Sequence, residues 1–66
     1  MPHPKVGHTY DIRSDYEKEQ NAAPRVFRVI ETKWGPGGVM VFAIHVERRV
    51  TAILNSRLFT AESEVH

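Results

Sequence analysis

Four histidines, His3, His8, His45 and His66, stand in a chain of 66 residues, and imidazole is a side chain suited to ligating metals and moving protons near neutrality. Their spacing gathers no site. There is no H-x-H or H-E-x-x-H pattern and no histidine-carboxylate cluster. His8 and His45 could meet if their strands pair, but that supplies two ligands where a structural metal normally takes four. Cysteine is absent, which removes thiolate zinc sites and a thiol nucleophile together. The serines Ser14, Ser56 and Ser63 have no base nearby in sequence. Asp15, Glu17 and Glu19 alternate in one segment, yet a hydrolytic pair needs two carboxyls held about 5–10 Å apart across a cleft. A chain this short has little volume to enclose a substrate, since ligand pockets usually run to a few hundred Å³. The expectation is no enzyme, no metal and no cofactor.

Trp34-Gly35-Pro36-Gly37-Gly38 is glycine-rich but does not resemble a phosphate cradle, which needs a following helix and a Gly-Lys-Ser/Thr ending. Here a strand-like run follows. Trp34 is either displayed beside Lys33, where an indole can stack on a base or fill a partner's pocket, or folded back over the core. Arg25, Arg28, Lys33, Arg48, Arg49 and Arg57 face only Glu31 and Glu47 within residues 21–60, an excess of four cations. The flanks are acidic, with Asp11, Asp15, Glu17 and Glu19 outweighing Lys5, Arg13 and Lys18 on one side, and Glu62 and Glu64 on the other. Phosphates want mobile cations and unpaired bases want flat rings. The favoured ligand is therefore nucleic acid, contacted by Arg25, Arg28, Lys33, Trp34, Arg48, Arg49 and Arg57, with modest and salt-sensitive affinity. The alternative is a protein-binding regulator or inhibitor of phage or plasmid type, acting through Asp15, Tyr16 and Glu17 or through an exposed strand edge, including as a homodimer.

These residues must be positioned by short strands. Val6, His8, Tyr10 and Ile12 alternate with Gly7, Thr9, Asp11 and Arg13, the two-residue period of a half-buried strand. Ser14 and Glu17 have the spacing of a capping box, so a short helix over residues 15–22 is possible before Pro24 ends it. Residues 25–33 and 39–46 are rich in β-branched and aromatic side chains. The Gly-Pro break between them predicts an antiparallel hairpin with a loop over residues 34–38. The run 39–46 is apolar on both faces, which marks it as the central strand. Glu47-Arg48-Arg49 reads as a turn into a further strand over residues 50–54, and Leu58 and Phe59 as a last strand or a hydrophobic latch.

The expected organisation is one small domain: a flexible arm over residues 1–5, a β-rich core over residues 6–59 and a mobile acidic tail over residues 60–66. At this length only about 60% of the unfolded chain's surface can be buried. No apolar run approaches the ~20 residues needed to cross a bilayer, and the first residues lack the hydrophobic stretch of a signal peptide. A cytoplasmic location, with no membrane contact, is expected. The strand at residues 6–12, the excursion over residues 14–24, the hairpin at Trp34–Gly38 and the turn at Glu47–Arg49 together resemble the outline of SH3-like small barrels. The resemblance implies a mainly β fold, a small antiparallel barrel or strongly bent sheet of four or five strands. Bacterial and phage barrels of this outline often bind nucleic acid or protein partners. The chain lacks the paired tryptophans and downstream proline of peptide-binding SH3 domains, so proline-peptide recognition is not expected.

Overall fold

Alternating apolar residues bring five antiparallel strands into one sheet. The computed structural model describes residues 4–66; His3 and the start of the expected arm lie outside them. The strands are β1 (Thr9–Asp11), β2 (Val26–Gly35), β3 (Gly38–His45), β4 (Thr51–Asn55) and β5 (Glu64–Val65), in the spatial order β4-β3-β2-β1-β5. The sheet is open, with β4 and β5 as its edges. β3 has a strand on each side and so is internal, as its two apolar faces imply. Among the described residues the only α-helical segment is a single turn, α1 (Asp15–Glu19), started by a capping box in which the Ser14 hydroxyl accepts from the Glu17 N–H and the Glu17 carboxylate accepts from the Ser14 N–H.

The core sits on one face. Tyr10, Phe27, Val29, Val41, Ala43 and Phe59 are buried, and Ile12, Ala52 and Leu54 pack against them. Phe59 follows a 3-10 turn (Ser56–Leu58), in which the Asn55 Oδ1 accepts from the Arg57 N–H at 2.9 Å. Its ring meets that of Tyr10 edge-on at 5.3 Å between centroids, so Leu58-Phe59 is a latch rather than a strand. Beyond it the chain continues into β5, which pairs with β1. The Ser63 and Thr60 hydrogen bonds fold the intervening turn.

Two local features decide which side chains face outward. The register of β2 against β3 shifts between Val29 and Glu31, making Ile30 the extra residue of a bulge. Before the bulge Phe27 and Val29 face the core and Arg28 faces out. After it the parity inverts: Thr32 pairs with the core residue Val41, whereas Glu31 pairs with Phe42 and Lys33 with Met40 on the outer face. The hairpin turn is tighter than the five residues expected. Gly35 pairs with Gly38, leaving Pro36-Gly37 as the two-residue loop. Gly38 has φ +108°, a conformation open to glycine and strained for other residues. Trp34 accordingly lies in the ladder opposite Val39, on a hairpin that overhangs the core.

Candidate nucleic-acid interface

The expected contact residues fall into three groups. Arg28 projects from the outer face of β2, opposite Ile44 on one side and Thr9 on the other. The turn joining β3 to β4 carries Arg48 and Arg49 at that same end of the sheet, because β3 finishes where β2 begins. Arg49 is held in the left-handed region (φ +59°), with its N–H donating to the His45 carbonyl at 2.7 Å. The Arg48 N–H donates to His45 Nδ1 at 3.1 Å, which leaves the neutral ring's proton on Nε2. The His45 ring packs edge-on against Phe27 at 4.9 Å. Arg25 and Arg48 line a shared hollow of about 460 Å³ over this pair.

Lys33 and Trp34 occupy the opposite end of the β2–β3 hairpin. An eight-residue strand spans roughly 26 Å, so neither reaches the Arg48–Arg49 turn. Trp34 is 86% exposed, which decides in favour of display over packing. Lys33 and Trp34 project to opposite faces, and the Lys33 ammonium lies 5.4 Å from the centroid of the Phe42 ring. Arg57 stands apart on the 3-10 turn. With Arg25 it lines a groove of about 580 Å³ that Asp11, Asp15 and Glu17 also line.

Charge pairing separates the cations further. Arg25 is bound by Glu17, Lys33 lies 3.9 Å from Glu31, and Arg13 is held by Asp11. Among the described residues, the side chains of Arg28, Arg48, Arg49 and Arg57 have no acidic partner. The carboxylates that do have partners are stabilised in their charged form. The Ser14 N–H, with the Arg25 guanidinium, holds Glu17 below its ordinary value. Burial pushes Asp11 up, but hydrogen bonds from the side chain and backbone of Arg13 outweigh it and the net shift is down. The His8 hydrogen bond, 3.0 Å long, lowers Glu64.

The surface missed by sequence reasoning is the outer face between the two cationic ends. Met40, Phe42 and Ile44 project there from β3, half-buried, with Ile30 and Ile53 beside them 48% and 56% exposed. The alternation of β3 already sets Met40, Phe42 and Ile44 apart from Val41 and Ala43. Which set formed the core was the missing information. Asp15, Tyr16 and Glu17 lie in α1, where Glu17 is occupied by Ser14 and Arg25 while Tyr16 is 70% exposed.

His8 and His45 do not meet, because β2 stands between their strands; His8 binds Glu64 and His45 binds Arg48. Among the described residues no group of three or more metal-ligating side chains is gathered. No helix among them is long and apolar enough to cross a membrane. Comparison with protein-family models, with curated proteins and with solved structures gives no match.

Proposed function

We propose that this chain is a non-catalytic cytoplasmic module that binds single-stranded nucleic acid across the outer face of β2 and β3. The observation that carries the reading is the set of acid-free arginines, Arg28, Arg48 and Arg49, at one end of the sheet, with Arg28 on the outer face whose centre presents the Phe42 ring. Phosphates bind the arginines, a base stacks on Phe42, and Lys33 meets the strand at the far end. Trp34, which the register turns to the opposite face at the hairpin tip, lies outside this contact. A sheet face that offers rings between cations binds bases without sequence preference, because every base has a π-face. The reading takes the chain as SH3-like in outline, with the strand order β4-β3-β2-β1-β5 and a 3-10 turn between β4 and β5, and as an open sheet rather than a closed barrel.

Titration of a labelled oligothymidylate of about 12 nucleotides, within the usual range of single-strand site sizes, should raise its fluorescence anisotropy saturably. Phe42→Ala should weaken binding by roughly 5- to 150-fold, the equivalent of one lost stacking contact. Unshifted mobility of the oligonucleotide in a gel at excess protein would end the proposal.

A second reading, recognition of a basic protein segment, is favoured by a separate observation. Tyr16 stands exposed on the acidic turn beside the 580 Å³ groove. On that reading Tyr16→Ala abolishes capture of the partner and leaves oligonucleotide binding untouched.

A further inference from the structure

The two edges of the sheet are unlike. β5 is two residues long and carries Glu64, the short charged edge that discourages pairing with other chains. β4, Thr51-Ala52-Ile53-Leu54-Asn55, has no charge, no proline and two β-branched residues. Its hydrogen-bonding parity follows from β3: the His45 N–H donates to the Val50 carbonyl at 2.8 Å. Residues 50, 52 and 54 therefore bond inward to β3, and Thr51, Ile53 and Asn55 turn their N–H and C=O groups to the free edge. All three are exposed, Ile53 at 56%.

We propose that β4 pairs antiparallel with the β4 of a second copy about a twofold axis through Ile53, joining two five-stranded sheets into one of ten. The register is self-complementary. Ile53 faces the second copy's Ile53 on the outer face, Thr51 faces Asn55, and on the core side Ala52 faces Leu54, so every new neighbour is apolar or uncharged. A closed twofold contact of this kind uses the same patch on both molecules. A second copy is also the occupant that the area favours. The chain exposes 4964 Å², against about 4300 Å² for a compact monomer of its mass. That surplus, which includes the overhanging hairpin and the open outer face, approaches the roughly 800 Å² each partner contributes to a standard interface. With six buried hydrophobic residues among those described and no cysteine, association is one way for a chain this small to gain burial.

Sedimentation equilibrium of the full chain without nucleic acid, from about 5 to about 500 µM, tests this independently of the proposed binding function. The expected result is a monomer–dimer equilibrium with a dissociation constant on the order of micromolar, as suits a small interface. Ile53→Lys sets like charges directly opposite one another and should weaken association by roughly tenfold or more. Ile53→Pro removes one outward N–H at an edge position where proline is tolerated, and should do the same with an unchanged circular dichroism spectrum. Amide exchange gives a second readout: Thr51, Ile53 and Asn55 should become protected as concentration rises, while Ala52 and Leu54 are protected throughout. A monomer across the whole range overturns the proposal, as does a dimer that both variants leave intact or in which those three amides still exchange freely.

Discussion

Removing Arg48 and Arg49 together should change the salt dependence of nucleic-acid binding by an amount that the pairing of charges dictates. Only cations without an acidic partner release counterions in full when they meet phosphate, and at this end of the sheet these are Arg28, Arg48 and Arg49. Three such contacts on a single strand give a slope of log K against log salt of about −2.1, at about −0.7 per phosphate. Between about 50 and about 200 mM salt that corresponds to roughly an 18-fold loss of affinity. In the Arg48→Ala/Arg49→Ala variant one contact remains, the slope falls to about −0.7, and the same change of salt costs only about 2.6-fold. Arg25→Ala is the control: its guanidinium is committed to Glu17, so the slope should stay near that of the parent chain. Fluorescence anisotropy of a labelled oligothymidylate at four salt concentrations measures all three slopes. Equal slopes for the parent and the double variant, or equal flattening by Arg25→Ala, would refute the assignment of phosphate contacts from charge pairing.

The latch and the acid response can be checked on the protein alone. Phe59 is fully buried against Tyr10, so Phe59→Ala should cost about 3–5 kcal/mol for the lost ring and its cavity. A domain of this length has only about 3–10 kcal/mol in total. The variant should therefore lose at least about a third of its stability and show a urea midpoint well below the parent's by near-ultraviolet circular dichroism, with Phe59→Leu closer to the parent; a urea midpoint near the parent's would contradict the latch. Asp11, Glu17 and Glu64 all ionise more readily folded than free, from ordinary values of 3.8, 4.5 and 4.5. As pH falls through those values the unfolded chain takes up protons that the native chain refuses. The stability these groups contribute is thus complete above about pH 5 and lost progressively below it. Urea midpoints recorded from about pH 6 down to about pH 3 should decline, and less steeply in Glu17→Gln; a flat profile would count against the carboxylate contacts.

Much of the strand layout is legible in the residues because β-branched runs, a Gly-Pro break and a capping box are local signals. The hairpin, the turn at Arg48–Arg49 and the Ser14–Glu17 cap all follow from side chains within a few positions of each other. Boundaries were less accessible. Trp34 and Gly35 read as loop because glycine and proline surround them, yet a two-residue turn at Pro36-Gly37 needs only one of those glycines at positive φ and leaves Trp34 free to stay in the ladder. β5 was illegible for the opposite reason, since Glu64-Val65 has no pattern of its own and forms only because β1 offers an edge and His8 a partner for Glu64.

The site was harder to read than the fold, and the bulge at Ile30 explains why. Strict alternation from Phe27 and Val29 would put Glu31 and Lys33 on the core side. One extra residue reverses that, delivering Lys33 to the outer face beside Phe42 and sending Trp34 to the other side. No residue in Val29-Ile30-Glu31 announces a bulge, because β-branched Val29 and Ile30 read as ordinary strand. Charge pairing is equally non-local: Arg48 follows Glu47 in sequence yet has no acidic partner, whereas Arg25, with no acid beside it in sequence, has a carboxylate brought to it by a turn eight residues earlier. A cluster of cations counted along the chain therefore includes some that the fold has already paired. Which cations stay without an acid is decided by which carboxylates the fold brings within reach, and here that leaves Arg28, Arg48 and Arg49 together at one end of the sheet.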